Sequence, residues 1–286
     1  MRQLIGSLVI ILLTTACDRV NDPIVAPGAN NGGGTGGEVV TRKVLLEDFT
    51  GHRCNNCPAA ARVAQQLHGV YGEDLIVVGV HCTETFAAPV SPPNANGSYA
   101  TDFRTAAGNA YESALGIFFL PNGAVNRKRF NNSITLAVGA WSSAVADAMG
   151  QEPDLHIWFS QLQHNATDHT VSAEVKVAVL NPIEGDHNLT IYLTEDSVVD
   201  WQYDSEAEPN DVPNYVHRHV LRDNLNGAWG APLVVGSAAA GDTITLNYTN
   251  FQMDPAWNPA HCALVAYAHN LDTYEVIQAE ERGFQH

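Results

Sequence analysis

The chain has 286 residues, of which 45% are hydrophobic and 16% charged, and a formal net charge of −17. So acidic a balance excludes nucleic acid as a partner, because phosphate binding needs clustered Lys and Arg, and it argues against broad attraction to anionic lipid. Five cysteines are too few for a disulfide-built scaffold, so a close pair among them in an exported protein is either a bond or a redox couple.

Arg2 gives a positive start, Leu4 to Leu13 an apolar run too short to span a bilayer, and Thr14-Thr15-Ala16 small residues before Cys17. The pattern predicts a signal peptide over 1–16, cut before Cys17, with lipid on the Cys17 sulfur. An ordinary secretory signal with an incidental cysteine is the alternative, since Thr14 stands where lipoprotein signals carry Leu. Cleavage removes Arg2 and leaves 13 basic against 31 acidic residues, a net −18. Residues 17–37, rich in Gly, Asn and Pro, predict a flexible tether. The N-terminal lipid is then the only expected membrane contact, and the cell envelope the expected location.

The folded part follows. Arg42 to Phe49 reads as a strand and Thr50 to Arg53 as its turn. Cys57 to Tyr71 has helical spacing, with Ala60, Val63, Ala64, Leu67 and Val70 on one face. Pro58 suits the first helical turn and Gly72 the stop. Leu75 to Val80 is an unbroken apolar run, as in a strand buried on both faces. The order strand, CxxC, helix, strand is a βαβ unit with a redox motif at its turn. Thr83 to Ser98 reads as an inserted loop, Tyr99 to Leu115 as one or two short helices, and Ser133 to Met149 as an amphipathic helix.

The texture changes at Asp154. Leu155–Leu162, Thr170–Leu180, Leu189–Thr194, Thr243–Tyr248 and Cys262–His269 are short strand candidates separated by turn residues, which suggests a β-sandwich. The expected fold class is therefore α/β plus all-β: a thioredoxin-like domain over 38–150 and a β-sandwich-like domain over 151–286, with the boundary near Gly150 to Pro153.

The chemistry concentrates at Cys54-Asn55-Asn56-Cys57. A thiolate is the attacking species in disulfide exchange, and a helix N-terminus lowers a thiol pKa through its unpaired N–H groups. Cys54 is the expected exposed nucleophile and Cys57 the buried resolving thiol, one turn away. His52 and Arg53 are expected to add positive potential beside Cys54. No dissociable cofactor is needed.

These residues resemble the thioredoxin superfamily. By that resemblance Asp48, six residues before Cys54, is the buried proton acceptor for Cys57, and Pro121 is the cis-proline that lies against the CxxC pair and shapes peptide binding. The gap from Cys57 to Pro121 is longer than in plain thioredoxin. A narrower resemblance rests on LLEDFTGHRCNNCPAA, GIFFLPNGAVNR, VHRHVLRDNLNGAWG and EVIQAEE, which are similar to the Omp28-type outer-membrane lipoprotein family of Bacteroidetes. It implies a lipoprotein of the outer membrane, on its periplasmic or surface face, with a thioredoxin-like part and a β-rich part.

Other residues admit two or more readings. Cys82 is a buried spare thiol, a third redox thiol, or part of a soft-metal site with His52, Cys54, Cys57 and His81; the spacing matches no strong zinc signature, and no metal is expected. Cys262 is a buried apolar residue or a partner for Cys82. His217, Arg218, His219 and Arg222 form a basic cluster, either a solvated strand end or a surface facing a ligand, a partner or the redox domain; in a strand, His217 and His219 would share one face. Asp200, Asp204, Glu206, Glu208 and Asp211 read as a solvated acidic loop or a Ca²⁺ site, without EF-hand spacing. The sequons at Asn96, Asn131, Asn165, Asn188 and Asn247 read as chance in a bacterial lipoprotein. Two functions are expected: an envelope thiol–disulfide oxidoreductase acting on protein or small-molecule disulfides and thiols, or a non-catalytic surface lipoprotein with a structural Cys54–Cys57 disulfide.

Overall fold

The computed structural model describes residues 39–284; the expected signal, Cys17 and the whole expected tether lie outside the described residues. The apolar run becomes β1 (Val44–Thr50), buried over nearly its whole length. The CxxC turn leads into α1 (Cys57–Tyr71), with Pro58 in the first turn. β2 (Leu75–His81) is buried throughout and runs parallel to β1, from Val44 beside Leu75 to Thr50 beside His81. A short α2 (Glu84–Ala87) precedes α3 (Ala106–Leu115), which the Thr105 hydroxyl caps by accepting from the Gly108 N–H. β3 (Asn122–Val125) returns antiparallel to β1, and α4 (Trp141–Met149) closes the α/β half. The helix expected from Ser133 starts only at Trp141, because Leu136 is held in a bridge to Gly123. A Cβ at Gly123 would lie 2.6 Å from the Trp141 ring, so only glycine lets that indole seat.

The rest of the described chain is almost all strand. β4 (Leu155–Asn165) and β5 (Thr170–Val179) form a hairpin, and β6 (Ile183–Glu184) and β7 (His187–Glu195) follow. β8 (Val198–Tyr203) and β9 (Asp211–His217) make a separate hairpin. Next come β10 (Val220–Asn224), β11 (Ala231–Val234), β12 (Ser237–Ala238) and β13 (Thr243–Gln252). β14 (Cys262–Asn270) and β15 (Val276–Gly283) end the fold. Among the described residues no helix is long and apolar enough to cross a membrane.

The change of texture near residue 150 is not a break in packing. One eight-stranded sheet runs in the order β15, β14, β7, β10, β2, β1, β3, with β11 on β7, so strands from both sides of Gly150–Pro153 share it. The described residues cluster as one compact unit. The seam is the parallel pairing of Val220 with Gly79, where the Gly79 N–H donates to the His219 carbonyl at 2.8 Å. A Cβ at Gly79 would sit 3.1 Å from the Arg218 carbonyl oxygen, so a bare backbone position suits this approach.

Period-two alternation then assigns the two faces of the sheet. Val44, Leu46, Leu75 and Val77 pack against Ala60, Ala64 and Leu67 of α1 and Trp141 and Val145 of α4. Farther along, Leu189, Ile191, Leu193, Leu264 and Ala266 pack against the antiparallel β4–β5–β13 sheet, so the large sheet is shared by both halves. Leu45, Ile76 and Val78 join Tyr192 and Tyr267 beneath α3 on the other face.

Candidate functional site

Cys54 and Cys57 form a disulfide, with Cα atoms 5.4 Å apart. The pair sits at the N-terminal end of α1, where the Cys57 N–H donates to the Cys54 carbonyl at 3.3 Å. The reduced pair would feel the favourable field of that helix end. The expected exposure of Cys54 is not what the structure shows: both cysteines are 1% exposed. The cover is the β8–β9 hairpin. Its Tyr203 and Ser205 N–H groups donate to the carbonyls of His52 (2.8 Å) and Asn55 (3.0 Å). The Gln202 side-chain amide donates to the Cys54 carbonyl at 3.0 Å.

The acidic stretch is the tip and flank of this hairpin, not a free loop. Arg62 of α1 pairs with Asp204 and Glu206, Tyr99 bonds to Asp211 and Thr101 to Asp200. Sequence reasoning missed Gln202 and Tyr203 as site residues, because nothing in their local pattern says which distant turn they cover. The one available signal was the excess of carboxylates opposite Arg62.

Beside the disulfide lies a cavity of ≈ 500 Å³. Asp48 and His81, from the carboxyl ends of β1 and β2, form its floor. The α1 wall carries Cys57, Ala61, Gln65 and His68, and Gln202, Tyr215, His217 and His219 face them. Crevices outside the carboxyl ends of parallel strands are where open α/β sheets place ligands. Cys57 and Asp48 both line this cavity. Burial pushes the Asp48 carboxyl up to about 7, and its Oδ1 has no hydrogen-bond partner. Neither ring nitrogen of His81 makes a hydrogen bond of normal geometry, and burial holds that imidazole neutral, well below the ordinary range.

The basic cluster does not form one strand. β9 ends at His217, and His219 has a left-handed φ of 50° before β10 begins. The turn so made brings His217, Arg218 and His219 to the cavity wall, the reading in which this cluster faces the redox motif. His52 does not supply positive charge: burial lowers its pKa, and its Nε2 lies 3.1 Å from the Ala88 carbonyl oxygen. Arg53 donates to the Glu84 carbonyl at 2.9 Å.

Leu120-Pro121 is a cis peptide. It leads into β3, whose Asn122 pairs with Phe49 at the end of β1. Cys82 projects to the opposite face, into the core under α3, while Cys262 lies in the sandwich core. Both are free thiols, so the expected alternative of a Cys82–Cys262 bond is not formed. Among the described residues no three His, Cys, Asp or Glu side chains converge as a metal site would require.

A βαβ unit with a CxxC pair at the helix start, a buried carboxyl behind it and a cis-proline before an antiparallel strand defines a thioredoxin-like fold. Its family is narrower still. Residues 108–284 match the family model described as outer membrane protein Omp28, more than half of the chain, and the chain belongs to the Omp28 family. The match begins after the CxxC motif, so the family assignment rests on the α3-to-β15 part.

Solved structures agree on the fold. The chain is similar to HBP35 of Porphyromonas gingivalis, at 20% identity over 86% of this chain and 76% of that one, with a TM-score of 0.62. It is similar to a protein from Agrobacterium tumefaciens at 14% identity, over 86% and 96% of the two chains, with a TM-score of 0.50. A domain of the outer membrane lipoprotein Omp28 from P. gingivalis overlaps 46% of this chain and 88% of its own, at 18% identity and a TM-score of 0.30, too loosely to bear on the fold. No curated protein matches the chain.

Proposed function

We propose that this Omp28-family protein is a lipid-anchored thiol–disulfide oxidoreductase of the cell envelope, with Cys54 and Cys57 as its couple. The observation that carries the reading is the shared cavity of Cys57 and Asp48 behind a disulfide at a helix start. In the reduced protein Cys54, as thiolate, attacks a substrate disulfide and releases one substrate thiolate. Cys57 gives its proton to the Asp48 carboxylate and attacks Cys54 Sγ, which releases the second thiolate and restores the pair. A carboxyl poised near 7 can both take and return that proton at neutral pH. Pro121 would border the substrate groove, and the lipid on Cys17 would hold the domain at the outer membrane.

A second reading, a surface lipoprotein whose Cys54–Cys57 bond only staples the turn, is favoured by one observation: the hairpin leaves Cys54 1% exposed. Trapping separates the two. A Cys57→Ala variant accumulates mixed disulfides through Cys54 if the protein turns over disulfides, and accumulates none if the bond is a staple.

A further inference from the structure

We propose that the cavity beside Cys57 binds a low-molecular-weight thiol, which reduces the Cys54–Cys57 disulfide by attacking Cys57 rather than Cys54. The inference rests on the redox reading above and names the electron donor for it. Three observations carry it. The cavity, at ≈ 500 Å³, is of small-molecule size, and it opens beside Cys57 while the β8–β9 hairpin lies over Cys54. Of the two sulfur-bearing residues only Cys57 lines the cavity. The floor holds buried polar groups with unmet hydrogen-bonding capacity, Asp48 Oδ1 and both ring nitrogens of His81. Buried polar groups in native proteins are otherwise nearly always paired, so a floor built from these suits a polar guest better than an apolar one.

The exchange balances as follows. The bound thiol gives its proton to the Asp48 carboxylate, its sulfur bonds to Cys57 Sγ, and the Cys54–Cys57 bond breaks with Cys54 leaving as the thiolate. A second thiol attacks the guest sulfur of this mixed disulfide, and Cys57 leaves with the bonding pair and regains a proton. Two small thiols become one small disulfide, and the protein pair becomes a dithiol. Electrons then enter on the Cys57 side and leave through Cys54, so donor and substrate use different faces of one couple.

The test uses the oxidised full-length protein with cysteine and glutathione as probes. Ala61→Phe places a ring in the cavity one helical turn beyond Cys57 and is expected to slow reduction by either probe by about tenfold or more, as misplaced reactants do. Gln66→Phe puts the same ring on the exposed side of α1 and leaves the rate unchanged. Should Ala61→Phe not fold, Gln65→Trp fills the same cavity. In parallel, Cys54→Ser and Cys57→Ser proteins are treated with glutathione disulfide and the adduct is located by peptide mass. An adduct on Cys57 of the first and none on Cys54 of the second supports the proposal. An adduct on Cys54 alone overturns the proposal and leaves the redox reading standing. So does reduction at wild-type rate in the filled-cavity variant. If no thiol, dithiothreitol included, reduces the pair in the folded protein, the redox reading itself fails.

Discussion

The guanidinium of Arg127 grips both carboxylate oxygens of Glu47 at 2.7 Å, and neither residue reaches solvent. Glu47 belongs to β1 and Arg127 follows β3, but the pair is completed by the hydroxyls of Tyr192 on β7 and Tyr267 on β14. Tyr111 of α3 stacks its ring 4.3 Å from the guanidinium. One buried charge pair thus joins the α/β half to the β-rich half, on the face of the sheet opposite the disulfide.

Removing one member of this pair leaves a buried charge without its partner. Glu47→Gln is expected to cost about 3–5 kcal/mol of unfolding free energy, read as a lower urea midpoint. Replacing both, as in Glu47→Leu with Arg127→Met, should cost less than the sum of the single changes, because no lone charge remains. Additive losses would show that the two side chains act independently.

The hairpin over the disulfide predicts a rate. Gln202→Ala removes the amide that donates to the Cys54 and Gly51 carbonyls, a loss of about 1 kcal/mol. Cys54 of the reduced protein should then react with iodoacetamide about fivefold faster if hairpin opening governs access. An unchanged rate would mean that the sulfur is reached without moving the hairpin.

Legibility in the sequence followed locality. The βαβ unit was readable because β1 and β2 are unbroken apolar runs and α1 carries both its motif and its stop residue. Cys57 came through the CxxC motif, and Asp48 through the thioredoxin resemblance alone. The β5, β7, β13 and β14 strands showed in their apolar patterns, but β8, β9, β10 and β15 did not, since they are short, polar or held by distant partners. The shared sheet was invisible for a similar reason: its seam is one glycine, Gly79, pairing with one valine 141 positions later. The cavity was the least legible feature. Its walls come from α1, two strand ends and a turn beyond residue 215, and no local pattern links them.

Cys82 and Cys262 predict silence. Burial pushes the Cys82 thiol far up and the Cys262 thiol to about 12, and both are packed into apolar cores. On the reduced, folded protein with Cys17 lipidated, Cys57 on the cavity and Cys54 beneath the hairpin should label first, and denaturation should add Cys82 and Cys262. Labelling of Cys82 in the native state would restore its reading as a third redox thiol.

Asp48 predicts a pH dependence with a definite sign. Burial holds its carboxyl at about 7 in the folded state, against about 4 when the chain is unfolded. Between these values the folded state keeps a proton that the unfolded state has lost, so the contribution of Asp48 to stability falls as pH rises from about 4 to about 7 and is level above. The interval corresponds to about 4 kcal/mol. Glu281, also raised to about 7, acts in the same direction, whereas His217, held down to about 4, loses stability as pH falls from the ordinary imidazole range. Asp48→Asn removes the first contribution and leaves the others. Urea unfolding of the oxidised proteins should therefore show the variant gaining on the wild type from pH 4 to pH 7, with a constant difference above. A difference that does not change with pH would mean an ordinary carboxyl at Asp48, and the proton relay to Cys57 would lose its acceptor.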